Sequence, residues 1–207
     1  MTNNFIKRLL TSIILGPLVL YTINKGGIYF LSLLSIIFIL VLYEILNLKI
    51  IIYKILLIVI IIIFIFSSYY LSINEENKLF LYFAIFISWL SDIGGYLFGK
   101  LFKGKKINFI SPKKTYIGFF GSILISQFLI IYLDYFNLIE KNLFYKFIFI
   151  TANSTLVIIG DLFFSYVKRV NKIKDYSDIL PGHGGILDRI DGLIFVTIFN
   201  YIYILIR

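Results

Sequence analysis

The chain has 207 residues, of which 60% are hydrophobic and 15% are charged, and its net charge is +9. A mean hydropathy of +0.95 excludes an ordinary soluble domain, because too few polar residues remain to cover a water-exposed surface. There is no cysteine, which excludes disulfides, thiolate metal sites and cysteine nucleophiles. The cations lie between apolar runs, so they indicate membrane lipids or phosphate as partners and not nucleic acid.

Seven apolar runs are long enough to predict membrane-spanning helices. In chain order they cover about residues 8–24, 28–48, 51–72, 79–99, 115–137, 143–164 and 190–206. The first run could pass for a signal peptide, but it lacks a small-residue cleavage site, and we expect it to be retained. The predicted fold class is an all-α, polytopic integral membrane protein.

The charges of the loops predict the orientation of the spans. Residues 100–114 carry six lysines and no acid, and four further cations lie between residues 168 and 174. The alternate loops are poor in cations. Under the positive-inside rule the N-terminus and the two long polar loops are cytoplasmic, and seven spans place the C-terminus outside.

The fourth span contains an acid within its apolar run, Asp92. An ionisable residue in a membrane is costly and marks either a functional site or a structural bond to a neighbouring helix. Gly94, Gly95 and Gly99 follow, and these small residues allow close approach of another helix or of a ligand.

The segment SPKKT at residues 111–115 is predicted to open the helix of the fifth span. Free N–H groups and the positive end of the helix dipole favour an anion at such a helix start. Four residues would add donors and charge for a phosphate: Ser111, Lys113, Lys114 and Thr115. The other lysines of this loop are sufficiently explained as membrane anchors.

The sixth span ends with a polar stripe, provided that its helix continues beyond the membrane edge. Asp161, Ser165 and Lys168 then fall at i, i+4 and i+7 on one face, with Arg169 beside them. This combination suits a metal ion with a phosphorylated ligand. The alternative is that Asp161 pairs within its own helix, with Ser165 or Lys168.

The sequence LPGHGG at residues 180–185 predicts a tight turn whose backbone N–H groups can meet an anion. Its His183 is the only histidine, and phosphate binding or orientation of a carboxylate is a better role for it than that of a base. Asp188 and Asp191 then open the last span on one helix face. Either acid alone could serve only to stabilise the helix end.

The available ligands predict the class of metal. One histidine and no cysteine argue against zinc. Aspartates beside phosphate-binding groups suit Mg²⁺, which shares its coordination shell with substrate phosphates. Asp161, Asp188 and Asp191 are on the predicted cytoplasmic side, and Asp92 is in the half of the membrane that faces it. These acids and the nearby cations indicate phosphoryl or nucleotidyl transfer at a cytoplasmic-side active site.

Three segments together resemble the CDP-diglyceride synthetase (phosphatidate cytidylyltransferase) family: SDIGGYLFGKLFKGKK…SPKKT, GDLFFSYVKR and KDYSDILPGHGGILDRID. Ser165 through Asp191 reproduces the family order S-x-x-K-R, K-D, P-x-H-G-G-x-x-D-R-x-D. The N-terminal run and Glu44 are similar too. Ile117 and Phe164 depart from the family pattern, and the chain is shorter than is usual in the family.

The resemblance implies an inner-membrane enzyme that joins CTP to phosphatidate and releases CDP-diacylglycerol and pyrophosphate. It implies a homodimer and a divalent metal, Mg²⁺, and it allows a second cation. The family's metal-binding aspartates correspond to Asp161 and Asp188, and Asp191 joins them as a candidate metal ligand from its position.

The remaining site residues follow from the residues and the resemblance together. The catalytic candidates are Asp161, Asp188, Lys168 and Asp92. The candidates for substrate binding are Ser111, Lys113, Lys114, Ser165, Arg169, His183, Gly184, Gly185 and Arg189. We expect a single membrane domain over residues 1–207, with N-terminal spans in 1–78 and the catalytic spans and cytoplasmic loops in 79–207.

Three alternative functions remain open. A related enzyme could use CTP on another membrane lipid. An ion or anion transporter could use Asp92 and the basic loops as a pathway, although transport favours acids spread through the membrane and these cluster toward one face. An inactive scaffold could keep the fold, but the retained signature argues against decay.

Overall fold

A computed structural model describes residues 2–102, 104–107, 111–139, 142–180, 182 and 184–207. The N-terminal half consists of helices α1 (Thr2–Lys25), α2 (Gly27–Leu46), α3 (Ile51–Ile73) and α4 (Glu75–Phe102). The C-terminal half consists of strands β1 (Lys106–Ile107) and β2 (Ser111–Thr115), followed by helices α5 (Tyr116–Ser126), α6 (Ile130–Tyr135), α7 (Leu143–Val170) and α8 (Leu187–Ile206). A 3-10 turn, Gln127–Leu129, joins α5 to α6.

Six helical segments among the described residues are long and apolar enough to cross a membrane: α2, α3, α4, α7, α8 and the continuous segment Tyr116–Tyr135. They correspond to six of the seven predicted spans. The predicted first span falls in α1, where the apolar stretch Ile13–Lys25 is shorter. Large apolar side chains such as Ile52 and Ile131 are exposed on the outer surface, as expected for a surface in contact with lipid. The predicted all-α, polytopic membrane fold is confirmed.

Helices α4 and α5 pack in close contact because each has a glycine at the crossing. A Cβ atom on Gly94 would lie 2.4 Å from the carbonyl oxygen of Gly121. A Cβ atom on Gly121 would lie 2.4 Å from the Cβ atom of Phe98. Neither position can hold a larger residue without moving a helix, so the expectation of close approach from the glycines of the fourth span is confirmed for Gly94.

A buried seam of serine hydroxyls connects α4, α5 and α7. Ser122 donates to the carbonyl oxygen of Ser91 at 2.7 Å, and Ser126 donates to the Oγ atom of Ser154 at 3.3 Å. The hydroxyls of Ser91 and Ser154 lie 3.4 Å apart. In an apolar interior each such interhelical bond stabilises the assembly by about 0.6 kcal/mol on average.

The segment SPKKT forms a strand, so the prediction that it opens the fifth helix is wrong. Ser111–Thr115 pairs antiparallel with β1, Thr115 opposite Lys106 and Ser111 opposite Ile107. The helix begins at Tyr116, because Thr115 caps it by accepting a hydrogen bond from the Gly118 N–H at 3.0 Å. Pro112 also disfavours the helical conformation for the residue before it, which is Ser111.

The junction between α2 and α3 is fixed by a residue of the C-terminal half. The Asn171 side-chain oxygen, just past the end of α7, accepts hydrogen bonds from the Lys49 and Ile50 N–H groups, both at 3.0 Å. Asn171 is buried, and its amide nitrogen donates to the carbonyl of Val167 at 2.9 Å. The N-terminal helices are therefore attached directly to the end of the helix that carries the predicted polar stripe.

Candidate active site

The predicted polar stripe on α7 is present, because the helix continues to Val170. Ser165 donates to the Asp161 carboxylate at 3.4 Å, as the alternative of pairing within the helix predicted. Lys168 does not pair with Asp161. Its ammonium reaches across to α8 and lies 2.6 Å from the carboxylate of Asp188. The stripe therefore connects two elements.

Asp161 forms an ion pair with Lys114 of strand β2. Burial lowers the pKa of Lys114, and the negative charges of Asp191 and Asp92 partly oppose that effect. The strand therefore inserts one cation among three carboxylates that α4, α7 and α8 carry. This contact brings the SPKKT strand, predicted to be cytoplasmic, onto the acid that begins the polar stripe of α7.

Asp188, in the first turn of α8, binds the loop that precedes this helix. One carboxylate oxygen contacts Lys168, and the other accepts hydrogen bonds from the N–H groups of Tyr176 and Gly185, each at 3.0 Å. The side chain is only 5% exposed. Asp188 therefore does more than complement the helix dipole: it joins α7, the loop and the start of α8.

The described residues of the predicted tight turn, Leu180, Gly182 and Gly184, have the geometry of a turn. Gly182 and Gly184 have φ values of 77° and 84°, which favour glycine, and Leu180 and Gly184 exchange two backbone hydrogen bonds. The N–H groups of Gly184 and Gly185 donate to Leu180 and Asp188, so the expectation that they are free for an anion is wrong. These N–H groups therefore bind within the turn and to Asp188. His183 lies outside the described residues.

Tyr176 attaches this loop to α7, although nothing in the sequence indicated such a role. Its hydroxyl donates to the carbonyl of Phe164 at 3.2 Å, and the ammonium of Lys168 lies 5.6 Å from its ring centroid. Burial and the nearby negative charge of Asp188 raise the pKa of Tyr176, so the hydroxyl stays protonated and can donate. Phe164, a departure from the family pattern, is fully buried with its ring against Tyr176.

Two adjoining cavities lie between α4, α7 and the neighbouring elements. The larger, about 290 Å³, has a polar side formed by Asp92, Asp161 and Lys114 and an apolar side that includes Phe119 and Ile158. The smaller, about 60 Å³, shares Asp92 and Asp161 and is also lined by Asp191 and Arg189. Three of the four predicted acids thus converge on one cavity from three helices. Asp188 lies outside the lining of both cavities.

These carboxylates fit Mg²⁺ in part. In the described part of the chain no three acidic or histidine side chains are close enough to form a complete metal cage. Mg²⁺, however, commonly takes one or two carboxylates and completes its shell with water and substrate phosphates. Asp161 and Asp191, which line one cavity with Asp92, can provide such ligands. The oxygens of Asp188 already accept from three donors, so its role as a metal ligand stays a prediction.

Other predicted site residues lie apart from the cavities. Neither Ser111 nor Arg169 is among the residues described as lining them. Arg169 is exposed, and its guanidinium lies 3.5 Å from the carbonyl of Ile173. The side chain of Lys113 lies outside the described residues. The assignment of these three residues to substrate binding stays a prediction.

Glu44 of α2 is a buried acid that contacts the loop before α8, and the sequence alone assigned it no role. Its side chain is fully buried and accepts hydrogen bonds from the Ser177 hydroxyl at 2.6 Å, the Ile186 N–H at 2.7 Å and the Leu187 N–H at 2.9 Å. The sequence could have predicted a role for Glu44, because an acid inside the apolar sequence VLYEIL is as unusual as Asp92 in its own span.

Membrane-length helices that converge on carboxylates and cations define a multi-pass membrane protein with a polar site suited to phosphate chemistry. Residues 48–207 match the family model described as Cytidylyltransferase family, and the chain belongs to this family. The family predicted from the sequence motifs is confirmed.

Three similar proteins are each named phosphatidate cytidylyltransferase. Those of Staphylococcus epidermidis and Staphylococcus haemolyticus are 40% and 36% identical over 129 residues, which is 62% of this chain and 50% of each relative. That of Staphylococcus aureus is 40% identical over 128 residues, 59% of this chain and 47% of the relative. The chain spans about half the length of the curated relatives that it matches.

Proposed function

We propose that the protein is a phosphatidate cytidylyltransferase, which joins CTP to phosphatidate and forms CDP-diacylglycerol and pyrophosphate. The observation that carries the proposal is the convergence of Asp92, Asp161 and Asp191 with Lys114 and Arg189 on adjoining cavities between membrane helices, in a chain of the cytidylyltransferase family. The names of the similar proteins support the same substrates.

In the proposed reaction a phosphate oxygen of phosphatidate attacks the α-phosphorus of CTP. The bond to the β-phosphate breaks, and pyrophosphate leaves with the electron pair. Such a transfer depends mostly on positioning and on neutralisation of charge. Lys114 and Arg189, which line the cavities, would neutralise phosphate oxygens, and the apolar wall near Phe119 and Ile158 would take the lipid part of the substrate.

We propose Mg²⁺ as the cofactor, with a second cation allowed. Asp161 and Asp191 would hold it, with Asp92 lining the same cavity, and when bound it would neutralise the nucleotide phosphates. Lys168, buried and paired with Asp188, then serves to fix the loop that begins α8.

We further propose that the protein lies in the inner membrane, with its N-terminus and the segments 100–114 and 165–189 in the cytoplasm, and that it forms a homodimer. The loop charges support the orientation. The resemblance to the family supports the dimer. A cytoplasmic site can receive CTP directly while the lipid substrate keeps its acyl chains in the bilayer.

The test is an assay of purified protein with radiolabelled CTP and phosphatidate in detergent micelles, with Mg²⁺ or with excess EDTA. We expect CDP-diacylglycerol and pyrophosphate in equal amounts only when Mg²⁺ is present. Full activity in EDTA would contradict the metal requirement. A lipid-linked product from dolichyl phosphate, with none from phosphatidate, would favour the alternative of another lipid substrate.

A further inference from the structure

Glu44 holds the start of α8 from another helix. The first N–H groups of a helix have no partner within it and need an acceptor from elsewhere. Ile186, the residue before α8, offers no side-chain cap. The Glu44 carboxylate accepts from the N–H groups of both Ile186 and Leu187, so it does the work of a cap residue across about 140 residues of chain.

The same carboxylate also holds the loop that approaches α8. Its Oε1 atom accepts from the hydroxyl of Ser177, next to Tyr176, whose N–H donates to Asp188. Glu44 therefore fixes both ends of the segment 177–187, which contains the glycine turn. The first and last residues of that segment cannot move apart without losing a hydrogen bond to this one side chain.

Two carboxylates approach Gly185 so closely that the position has no room for a side chain. A Cβ atom there would lie 2.7 Å from Oε1 of Glu44 and 3.1 Å from Oδ2 of Asp188. Lys168 pairs with Asp188, whereas the partners of Glu44 described here are neutral donors at the positive end of α8. The burial of Glu44 is thus tied to this one arrangement of the loop and helix.

We infer that Glu44 is a positioning residue of the active site. It fixes the axial position of α8 and thereby places Arg189 and Asp191 at the smaller cavity, although it touches neither cavity itself. Glu44 precedes the region 48–207 that matches the family. An N-terminal helix outside the matched region therefore contributes to the geometry of the site within it.

The test compares Glu44→Gln with Val41→Ala. The amide keeps the size of the side chain but offers an NH₂ group where the carboxylate accepts hydrogen bonds. Val41 lies on the same face of α2, fully buried in the cluster that contains Ile186 and Leu187, so its truncation disturbs packing but not the cap. Hydrogen exchange at Ile186 and Leu187, melting temperature, and kcat and KM for CTP are measured for both variants.

We expect faster exchange at these two amides in Glu44→Gln and unchanged exchange in Val41→Ala. Well below both melting temperatures, Glu44→Gln should lower kcat about tenfold or more with little change in KM, because misplacing groups that act on the transition state affects kcat first. The inference is wrong if the Ile186 and Leu187 amides exchange at the same rate in Glu44→Gln as in the unaltered protein. It is also wrong if Glu44→Gln and Val41→Ala lose kcat in the same proportion to their loss of melting temperature.

The kinetic comparison rests on the proposed function, and the exchange comparison does not. If the unaltered protein makes no CDP-diacylglycerol, the proposed function fails, while exchange at Ile186 and Leu187 still decides whether Glu44 caps α8. If Glu44→Gln does not fold, Ser177→Ala replaces it. That variant removes one of the three donors, so we expect a smaller increase in exchange at the same amides, and no increase would contradict the inference.

Discussion

At the residue scale, the site consists of acids that neighbouring elements hold in different ways. Asp161 pairs with Lys114 of strand β2 and lines both cavities. Asp188 is surrounded by three donors and lies outside the lining of both. The family resemblance assigns the two acids the same role, but their surroundings predict different consequences of substitution.

Asp161→Asn should lower turnover by about 10²–10³-fold at saturating Mg²⁺, because the amide keeps the shape but loses the charge at the reacting phosphates. Melting temperature should change little, since the side chain is partly exposed. Asp178→Asn is the control, because Asp178 is exposed in the loop between α7 and α8 and is not among the residues described as lining the cavities. Equal turnover in the two variants would contradict a role for Asp161 in the reaction.

Asp188→Asn should lower stability as well as turnover. Its loss leaves the buried ammonium of Lys168 unpaired, and breaking a buried pair from one side costs about 3–5 kcal/mol. Removing both partners, in Lys168→Met with Asp188→Leu, should cost less than the sum of the single losses. Thermal unfolding of Lys168→Met, of Asp188→Leu and of the double variant measures this coupling, and simple additivity would show that the pair does not act as a unit.

At the element scale, spacing along a helix was enough to predict the stripe of Asp161, Ser165 and Lys168, because helical periodicity fixes which residues share a face. The same reasoning failed for SPKKT. Whether Ser111 or Thr115 begins the helix depends on pairing with β1, a contact that is not visible in local sequence. The hydrogen-bond partners of Asp188 and Glu44 could not be predicted either. Those of Asp188 depend on the geometry of the loop, and those of Glu44 belong to a part of the chain about 140 residues away.

Gly121→Ala should destabilise the α4–α5 pair by about 1–3 kcal/mol, the usual cost of overpacking. The added methyl would meet Phe98 and the carbonyl of Gly94 at less than van der Waals distance. Gly16→Ala in α1 is the control, because among the described residues no atom outside its own stretch of helix lies within 4 Å of the position of its Cβ. If both variants have the same melting temperature in detergent, the close contact of the two helices is not needed for stability.

At the scale of the whole molecule, α4 is long enough to connect the two predicted sides of the membrane. It has 28 residues and is therefore roughly 42 Å long, more than the thickness of a hydrocarbon core. Glu75 and Glu76 lie in its first turn, and strands β1 and β2, with their lysines, follow its last turn. The acids and lysines at its two ends agree with a single orientation.

Lys105→Cys should react with a membrane-impermeant thiol reagent only from the cytoplasmic side, and Glu76→Cys only from the opposite side. Both residues are exposed, and the chain has no cysteine of its own to react. Inside-out and right-side-out vesicles provide the two directions of access. Labelling of Lys105→Cys in intact right-side-out vesicles would refute the proposed orientation.

The serine seam between α4, α5 and α7 has a consequence for biogenesis. Each of these segments is apolar enough to enter the bilayer alone, so their insertion does not depend on the seam. The association of the inserted helices does depend on the seam. Lipid provides no hydrophobic force between them, and the seam contributes hydrogen bonds from one helix to another. A defect at Ser122 or Ser154 should therefore produce a chain that reaches the membrane in normal amount and topology but assembles slowly and is removed by membrane proteases.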